Sequence, residues 1–190
     1  MRCHSCRVLA VSPICAKCRR IYLTPSPKFR VLPCGLKAVT LFRYENIEPF
    51  LLTKHTPRGW LIYRIMARDA FKALSVLDLT GLFVIPVDDK PRWGYSHTAI
   101  LAKELAKLGC RPLFGRLRAQ KRVSYSGKPL SFRIKNPRDF IYRGDGNIDA
   151  VLVDDIVTTG LTLQEARQTL QKYGVRVKMA IALADVERER

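Results

Sequence analysis

The fold of this chain is decided by the segment Ala150-Val151-Leu152-Val153-Asp154-Asp155-Ile156-Val157-Thr158-Thr159-Gly160-Leu161-Thr162. Its first four residues form a short apolar run, which is typical of a buried parallel strand. After the polar turn, apolar residues recur at helical spacing up to a stop at Gly174, and Thr162 and Glu165 have the spacing of a capping box. A strand that leads through a turn into a helix predicts an α/β architecture with a parallel sheet.

The turn in this segment combines two kinds of polar group. Asp154 and Asp155 offer only acceptors when ionised, so they suit the paired hydroxyls of a sugar or a shared metal ion. Threonine hydroxyls, Gly160 and the unpaired N–H groups of a helix N-terminus suit a phosphate. This polarity matches a ribose with a 5′-phosphate, bound at the carboxyl ends of parallel strands. The alternative is an Asp-Asp turn with a threonine cap and no ligand.

The remaining elements are predicted from apolar periodicity and turn residues. Helices are expected at 60–79, from Ser96 to Gly109, and at 162–174. Strands are expected at the start of 36–53 (followed by a short helical turn), at 82–87, at both ends of the basic stretch 111–135, at 148–153 and at 175–183.

Four of the six cysteines form two Cys-x-x-Cys pairs, Cys3/Cys6 and Cys15/Cys18, separated by eight residues. Four thiolates suit tetrahedral Zn²⁺, and such an ion would cross-link and stabilise a segment that is too short to bury a core of its own. The alternatives are a metal-free redox pair, an iron centre, or His4 as a ligand in place of Cys3. Cys34 and Cys110 have no spaced partner and are expected to be buried, inert thiols.

The proline-rich connector Thr24-Pro25-Ser26-Pro27 disfavours a helix. We therefore divide the chain into a zinc-binding module, 1–25, and an α/β domain, 26–190. No run of eighteen uncharged apolar residues occurs and no apolar signal core begins the chain. A cytoplasmic protein without a transmembrane segment is expected, and a peripheral location at the inner face of the membrane is compatible with this.

The charge of the chain is strongly one-sided: 34 basic against 16 acidic residues give a net charge of +18. No acid precedes Glu45, and none lies between Lys107 and Arg138. Aromatic residues are interleaved with the second basic run, an arrangement typical of surfaces that bind single-stranded nucleic acid by stacking and charge. The alternative is a set of core aromatics beneath a solvated basic face. Phosphate-rich partners are favoured for the charge as a whole.

The order apolar strand, Asp-Asp, two apolar residues, Thr-Thr-Gly-x-Thr and helix resembles the signature of type I phosphoribosyltransferases. The resemblance implies that family's parallel-sheet fold and phosphoribosyl pyrophosphate as ligand, with Mg²⁺ on its pyrophosphate and ribose oxygens. By the same resemblance, the acidic pair contacts the ribose hydroxyls and the following loop wraps the 5′-phosphate. The implied binding residues are Asp154, Asp155, Val157, Thr158, Thr159, Gly160, Leu161 and Thr162.

Two further loops of such proteins have counterparts in this sequence. The family's pyrophosphate loop corresponds to Val87, Asp88, Asp89 and Lys90, where the acidic pair needs Mg²⁺ or backbone amides to meet pyrophosphate. A mobile hood loop that closes over the ligand corresponds to the basic stretch 121–128.

Over the whole chain, the cysteine knuckles, Ile85-Pro86-Val87, the Gly94-Tyr95-Ser96-His97 helix entry and the Asp-Asp/Thr-Thr-Gly segment resemble the ComF (ComFC) family of competence proteins. That resemblance implies handling of single-stranded DNA during natural transformation, with the inner-membrane DNA-uptake machinery as a partner. The helix entry departs from the family's Arg-Gly-Phe-Asn-Gln, since it reads Arg92-Trp93-Gly94-Tyr95-Ser96-His97. No catalytic role is assigned to His97.

Two other hypotheses stay open at this point. One is an active phosphoribosyltransferase that moves the phosphoribosyl group to an unknown nitrogen acceptor. The other is a zinc-ribbon DNA-binding protein on a degenerate scaffold, for which Asp154 and Asp155 would be dispensable. The charge runs favour a nucleic-acid-handling protein, because a small-molecule enzyme has no need of a net charge of +18.

Overall fold

The computed structural model describes residues 1–87, 91, 94–121, 123 and 129–186. The strands in this part of the chain are β1 (Lys28–Val31), β2 (Lys37–Arg43), β3 (Phe83–Pro86), β4 (Arg111–Pro112), β5 (Leu117–Ala119), β6 (Phe140–Tyr142), β7 (Asp149–Val157) and β8 (Arg176–Asp185). The α-helices are α1 (Ala16–Tyr22), α2 (Tyr44–Leu51), α3 (Gly59–Lys72), α4 (His97–Leu105), α5 (Leu130–Lys135) and α6 (Leu161–Gln171). Short 3₁₀ turns follow α2 at Leu52–His55 and α4 at Ala106–Leu108.

Six of these strands form one sheet in the order β1-β2-β8-β7-β3-β4. All neighbours from β2 to β4 are parallel, and β1 is antiparallel to β2 at one edge. Strands β5 and β6 form a separate antiparallel pair. The prediction of an α/β fold with a mostly parallel central sheet is confirmed.

The strand β7 lies in the middle of the sheet, and apolar layers cover both of its faces. On one face Val151 and Val153 pack in a cluster with Tyr63 of α3 and Leu101 of α4. On the other face Ala150 and Leu152 pack with the buried residues of α6 and with β5 and β6. The carboxyl end of β7 therefore emerges between two helical layers, at the edge where open α/β sheets bind ligands.

Two predicted elements differ from the structure. The helix predicted at 60–79 ends at Lys72, and Leu74 and Leu77 lie in the turns that follow. Residues 130–135 form α5 and not the second predicted strand; β5 pairs instead with β6. Pro129 precedes α5 in an extended conformation, which is compatible with a helix start because proline lacks only its own N–H.

The predicted capping box of Thr162 and Glu165 is also wrong. The N-cap residue of α6 is Gly160, with a φ of 80° and no side-chain hydrogen bond to the helix start. Glu165 instead accepts hydrogen bonds from the backbone N–H groups of Arg138 and Asp139, at 3.0 and 2.6 Å. Because β7 continues to Val157, the chain has only three residues in which to turn, and a left-handed glycine accomplishes this.

The cysteine module packs against the main sheet domain. Cys3, Ile14, Cys18 and Leu23 belong to the same buried apolar cluster as Phe50 of α2. A bidentate ion pair connects α1 to α3. Arg19 Nε lies 2.9 Å from Asp69 Oδ2, and Arg19 Nη2 lies 2.6 Å from Asp69 Oδ1. Residues 24–27 connect the module to β1 without helix or strand. The boundary near residue 25 stays a prediction.

The helices in the described part of the chain are all too short or too polar to cross a bilayer.

Candidate ligand site at the carboxyl end of the central strand

Asp154 and Asp155 lie within β7, close to its carboxyl end, and both are nearly buried, with 9% and 6% of their surface exposed. Successive residues of a strand face opposite sides of the sheet. Asp155 lies on the side of α3 and α4, as its contacts show, so Asp154 lies toward the α6 side. The two carboxylates therefore have different surroundings.

Asp155 is the buried centre of a polar cluster that also contains Tyr63, which is buried, and Lys54 and His97, which are partly exposed. Its Oδ2 atom lies 2.9 Å from Lys54 Nζ, accepts a hydrogen bond from the Tyr63 hydroxyl at 3.1 Å, and lies 3.6 Å from His97 Nε2. Burial by itself would raise the pKa of Asp155, but the charges of Lys54 and His97 outweigh it and hold that pKa well below its usual range. Asp155 is therefore ionised at neutral pH.

The turn that carries Lys54 is held in place by Tyr95. The Tyr95 hydroxyl lies 3.3, 3.0 and 3.0 Å from the carbonyl oxygens of Thr53, Lys54 and Thr56. Gly59 allows this close approach, because a Cβ atom there would lie 2.1 Å from the Tyr95 hydroxyl. Burial lowers the pKa of Lys54, but the attraction of Asp155 outweighs it and leaves the pKa raised. The ammonium group thus stays charged beside Asp155.

Asp154 has the opposite electrostatic character. Burial first, and then the charge of the neighbouring Asp155, raise the pKa of Asp154 well above its usual range. Its Oδ1 atom accepts a hydrogen bond from the N–H of Asp155 at 2.8 Å. Protonated, this carboxyl group can both donate to and accept from a hydroxyl group.

The 158–162 turn brings donors and cations to the same end of β7. Arg30 Nη2 donates to the carbonyl oxygen of Thr158 at 2.7 Å, and Arg133 Nη1 donates to its Oγ1 at 2.8 Å. The first N–H groups of α6 after Gly160 have no acceptor within their helix. Arg138 contributes a positive charge near Asp154 and Lys54. N–H groups at a helix start, beside guanidinium groups, are suited to a phosphate.

Part of the predicted site lies outside the described residues. These are Asp88, Asp89 and Lys90 of the predicted pyrophosphate loop, Arg92 and Trp93, and positions 122 and 124–128 of the predicted hood loop. Val87 is described: its N–H donates to the carbonyl oxygen of Val153 at 3.0 Å. The carboxyl end of β3 therefore lies beside Val153 of β7, the residue before the acidic pair.

The four N-terminal cysteines come together as predicted. The sulfur atoms of Cys3, Cys6, Cys15 and Cys18 all lie within 4.8 Å of one another, and those of Cys6 and Cys15 are 3.6 Å apart. Zn–S bonds of about 2.3 Å in a tetrahedron put sulfur atoms about 3.8 Å apart, so this donor set fits a zinc ion. Backbone N–H groups of Cys15 and Cys18 point at sulfur atoms of the cluster, at 3.4 and 3.5 Å.

The thiols of this cluster differ in acidity. Burial raises the pKa of Cys18 to about 11. For Cys3 the effect of burial is outweighed by backbone N–H donors, Cys15 first, which lower its pKa to about 6. Zinc binds thiolates, so loading the cluster releases protons. Of the two remaining cysteines, Cys110 is buried as expected, and Cys34 is partly exposed.

No protein-family model and no curated protein matches this sequence. Solved structures that are similar include an adenine phosphoribosyltransferase (13% identity, 90% of this chain and 91% of that one, TM-score 0.47). Another is adenine phosphoribosyltransferase from Saccharomyces cerevisiae, with 13% identity, coverage of 90% of both chains and a TM-score of 0.46. A third is orotate phosphoribosyltransferase from Aeropyrum pernix, with 16% identity, coverage of 90% of this chain and 80% of that one, and a TM-score of 0.39. Because the identities and scores are low, no function is carried over from these structures.

Sequence patterns did not reveal several residues of this site. Lys54, Tyr63, Arg30 and Arg133 belong to no local motif, and His97 was given no role. Each reaches the end of β7 from a separate element. Among these residues, only Tyr63 could have been found from the sequence pattern. Its position falls on the buried face of α3, and a buried hydroxyl group needs a hydrogen-bond partner.

Proposed function

We propose that this chain binds phosphoribosyl pyrophosphate together with Mg²⁺ at the end of β7, and that it handles single-stranded DNA during natural transformation. The observation that carries the ligand proposal is the change of polarity along one short stretch. The carboxyl groups of Asp154 and Asp155 lie near the end of β7, and Thr158, just beyond the strand, receives hydrogen bonds from Arg30 and Arg133. A phosphorylated ribose has the complementary polarity.

The two acidic residues have separate roles in this proposal. Asp154, whose pKa is raised, exchanges hydrogen bonds with the ribose hydroxyls. Asp155 is already neutralised by Lys54, so a bare cation at Asp155 would have to compete with that ammonium group. This supports a Mg²⁺ ion that binds together with the pyrophosphate of the ligand, and not an ion that the acidic pair binds in the absence of ligand.

Calorimetry with Mg²⁺ and phosphoribosyl pyrophosphate tests the ligand proposal. We expect saturable binding that is stronger than that of ribose 5-phosphate, because the second anionic group adds contacts to cations. Inorganic pyrophosphate serves as the control for charge alone. Equal affinity for pyrophosphate and for the complete ligand would contradict the proposal, since it would leave the ribose without a role.

The DNA part of the proposal is supported by the charge distribution. The net charge is +18, and two long runs of the chain contain no acid. Binding of a labelled oligothymidylate, followed by fluorescence anisotropy at several salt concentrations, provides the test. We expect the affinity to fall steeply with salt, with a logarithmic slope of about 0.7 for each phosphate contact. A flat salt dependence would remove the electrostatic basis of this proposal.

The second candidate function is an active phosphoribosyltransferase. In that reaction a nitrogen atom of an acceptor attacks C1′ of the ribose and pyrophosphate leaves. The ionisable cluster of Lys54, Tyr63, His97 and Asp155 beside the predicted ribose position favours this candidate. Release of pyrophosphate from the labelled donor, measured alone and with single-stranded DNA, separates the candidates.

A further inference from the structure

A cavity lies between the cysteine module and the start of α3, away from the end of β7. Its volume is about 300 Å³. Three arginines line it, Arg2 and Arg7 from the cysteine module and Arg58 from the residue before α3, and Pro13 and Ile62 contribute a buried apolar surface. Ligand sites commonly combine a concave apolar surface with a few converging polar groups, and their volumes begin at about 300 Å³.

The positive charge of this cavity has no ion-pair partner in the described part of the chain. Among the residues that the structure describes, no carboxylate oxygen lies within 4.0 Å of the guanidinium groups of Arg2, Arg7 or Arg58. The chain contains no acid before Glu45, so the cysteine module has no acid of its own to offer. Three guanidinium groups that line one cavity favour an anion, and guanidinium geometry matches phosphate oxygens.

The backbone at Arg7 strengthens this interpretation. Arg7 has a φ of 62°, a left-handed conformation that glycine adopts without strain and an arginine rarely adopts. The turn is well fixed: the N–H of Arg7 donates to the carbonyl oxygen of Cys3 at 3.1 Å, and Arg2 Nη1 donates to the carbonyl oxygen of Arg7 at 3.3 Å. A glycine would fold more easily at this position. The arginine side chain is therefore best explained by an interaction that it makes.

We propose that this cavity binds one nucleotide unit of single-stranded DNA, with its phosphate against Arg2, Arg7 and Arg58 and its sugar or base against Pro13 and Ile62. The inference rests on the DNA part of the proposed function and adds a contact site to it. The size of the cavity suits a single nucleotide. The cavity also carries three positive charges on a chain whose net charge of +18 already attracts polyanions.

The test compares variants of the full-length, zinc-loaded protein by anisotropy with labelled oligothymidylate. Arg7→Gly removes the guanidinium group and fits the observed φ, so we expect unchanged zinc content and melting temperature. For Arg7→Gly and for Arg58→Gln, we expect DNA affinity to fall about fivefold at 0.1 M salt and the salt slope to fall by about 0.7, the effect of one lost phosphate contact. Arg7→Lys keeps the charge and should restore most of the affinity.

Arg20→Gln is the matched control, because Arg20 is exposed in the same module and does not line the cavity. Wild-type DNA affinity in both Arg7→Gly and Arg58→Gln would overturn the inference, as would an equal loss in Arg20→Gln. Binding of thymidine monophosphate that depends on Arg7, without a change in DNA affinity, would identify a free-nucleotide site and also overturn it.

The affinity for phosphoribosyl pyrophosphate, measured on the same variants, should stay unchanged. If the wild-type protein binds the phosphorylated sugar but no DNA, the DNA part of the proposed function fails together with this inference. If the wild-type protein binds DNA and the cavity variants bind it equally well, only this inference fails.

Discussion

Lys54 and Asp155 form an ion pair with a separation of 2.9 Å between Nζ and Oδ2, although 101 positions separate them in the chain. The pair joins the 3₁₀ turn after α2 to the end of β7. The pair lowers the pKa of Asp155, and the negative charge of Asp155, after burial, helps to raise the pKa of Asp154. The different properties of Asp154 and Asp155 thus depend on a lysine far away in sequence.

Lys54→Met is expected to lower the free energy of unfolding by about 2 kcal/mol, because it leaves a buried carboxylate without its cation. Chemical denaturation measures the loss. Asp155 has a lowered pKa, so the contribution of the pair is present above the unperturbed value of 3.8 and is lost as the pH falls further. The double variant Lys54→Met/Asp155→Asn should recover part of the loss. Additive losses in the double variant would show that the pair is not coupled.

Asp154→Asn should raise the free energy of unfolding at pH 7 by about 1 kcal/mol or more, because each pKa unit of upward shift in an acid costs about 1.4 kcal/mol once the unfolded state ionises. Since the pKa of Asp154 is raised, its contribution is fully present below 3.8 and is lost as the pH rises. The advantage of asparagine should therefore grow with pH from 3.8 upward. Exposed Asp145→Asn is the control. A constant difference at all pH values would contradict the raised pKa.

Arg133→Gln should weaken the binding of phosphoribosyl pyrophosphate about tenfold, the effect of losing one charged hydrogen bond near the phosphate. Arg133 Nη1 lies 2.8 Å from Thr158 Oγ1, within the proposed phosphate turn. Arg143→Gln, an exposed substitution at the end of β6, controls for the loss of one positive charge. Calorimetry should separate the two variants, and equal affinities would remove the 158–162 turn from the ligand site.

Zinc removal should destabilise the whole protein and not the cysteine module alone, because Cys3 and Cys18 lie in the main apolar cluster. We expect one zinc ion per chain, and a fall in melting temperature of about 5 °C or more when a chelator removes it. Cys6→Ser should lower the zinc content, whereas Cys34→Ser, outside the cluster, should not. Purified protein with a full complement of iron, or with no metal at all, would contradict the zinc assignment.

Arg19→Gln should lower the free energy of unfolding by about 1 to 2 kcal/mol, because the bidentate ion pair joins the cysteine module to α3 and Asp69 is only 11% exposed. Lys72→Gln removes the second cation near Asp69, at 3.7 Å on a side chain that is 75% exposed, and should have little effect. Equal losses in the two variants would mean that the geometry of the Arg19 contact is unimportant.

The parts of the molecule that could be predicted from the sequence are those coded by neighbouring residues. The strand that contains Asp154 and Asp155, the turn at Gly160 and the helix that ends before Gly174 follow one another in the chain, and each has a local signal. The predicted capping box failed although its spacing was correct. Glu165 found partners in the backbone of Arg138 and Asp139, which no local pattern reveals.

The sequence by itself determined the strand-turn-helix unit and the four-cysteine cluster, because periodicity, glycine and paired cysteines act over a few residues. Only the tertiary structure decided which charged side chains surround the strand-turn-helix unit. Arg30 reaches Thr158 across 128 positions, and Lys54 reaches Asp155 across 101. Burial between two helical layers and the surrounding charges then shift the pKa values of the adjacent aspartates in opposite directions, since a pKa depends on the charges and the solvent around a group in space.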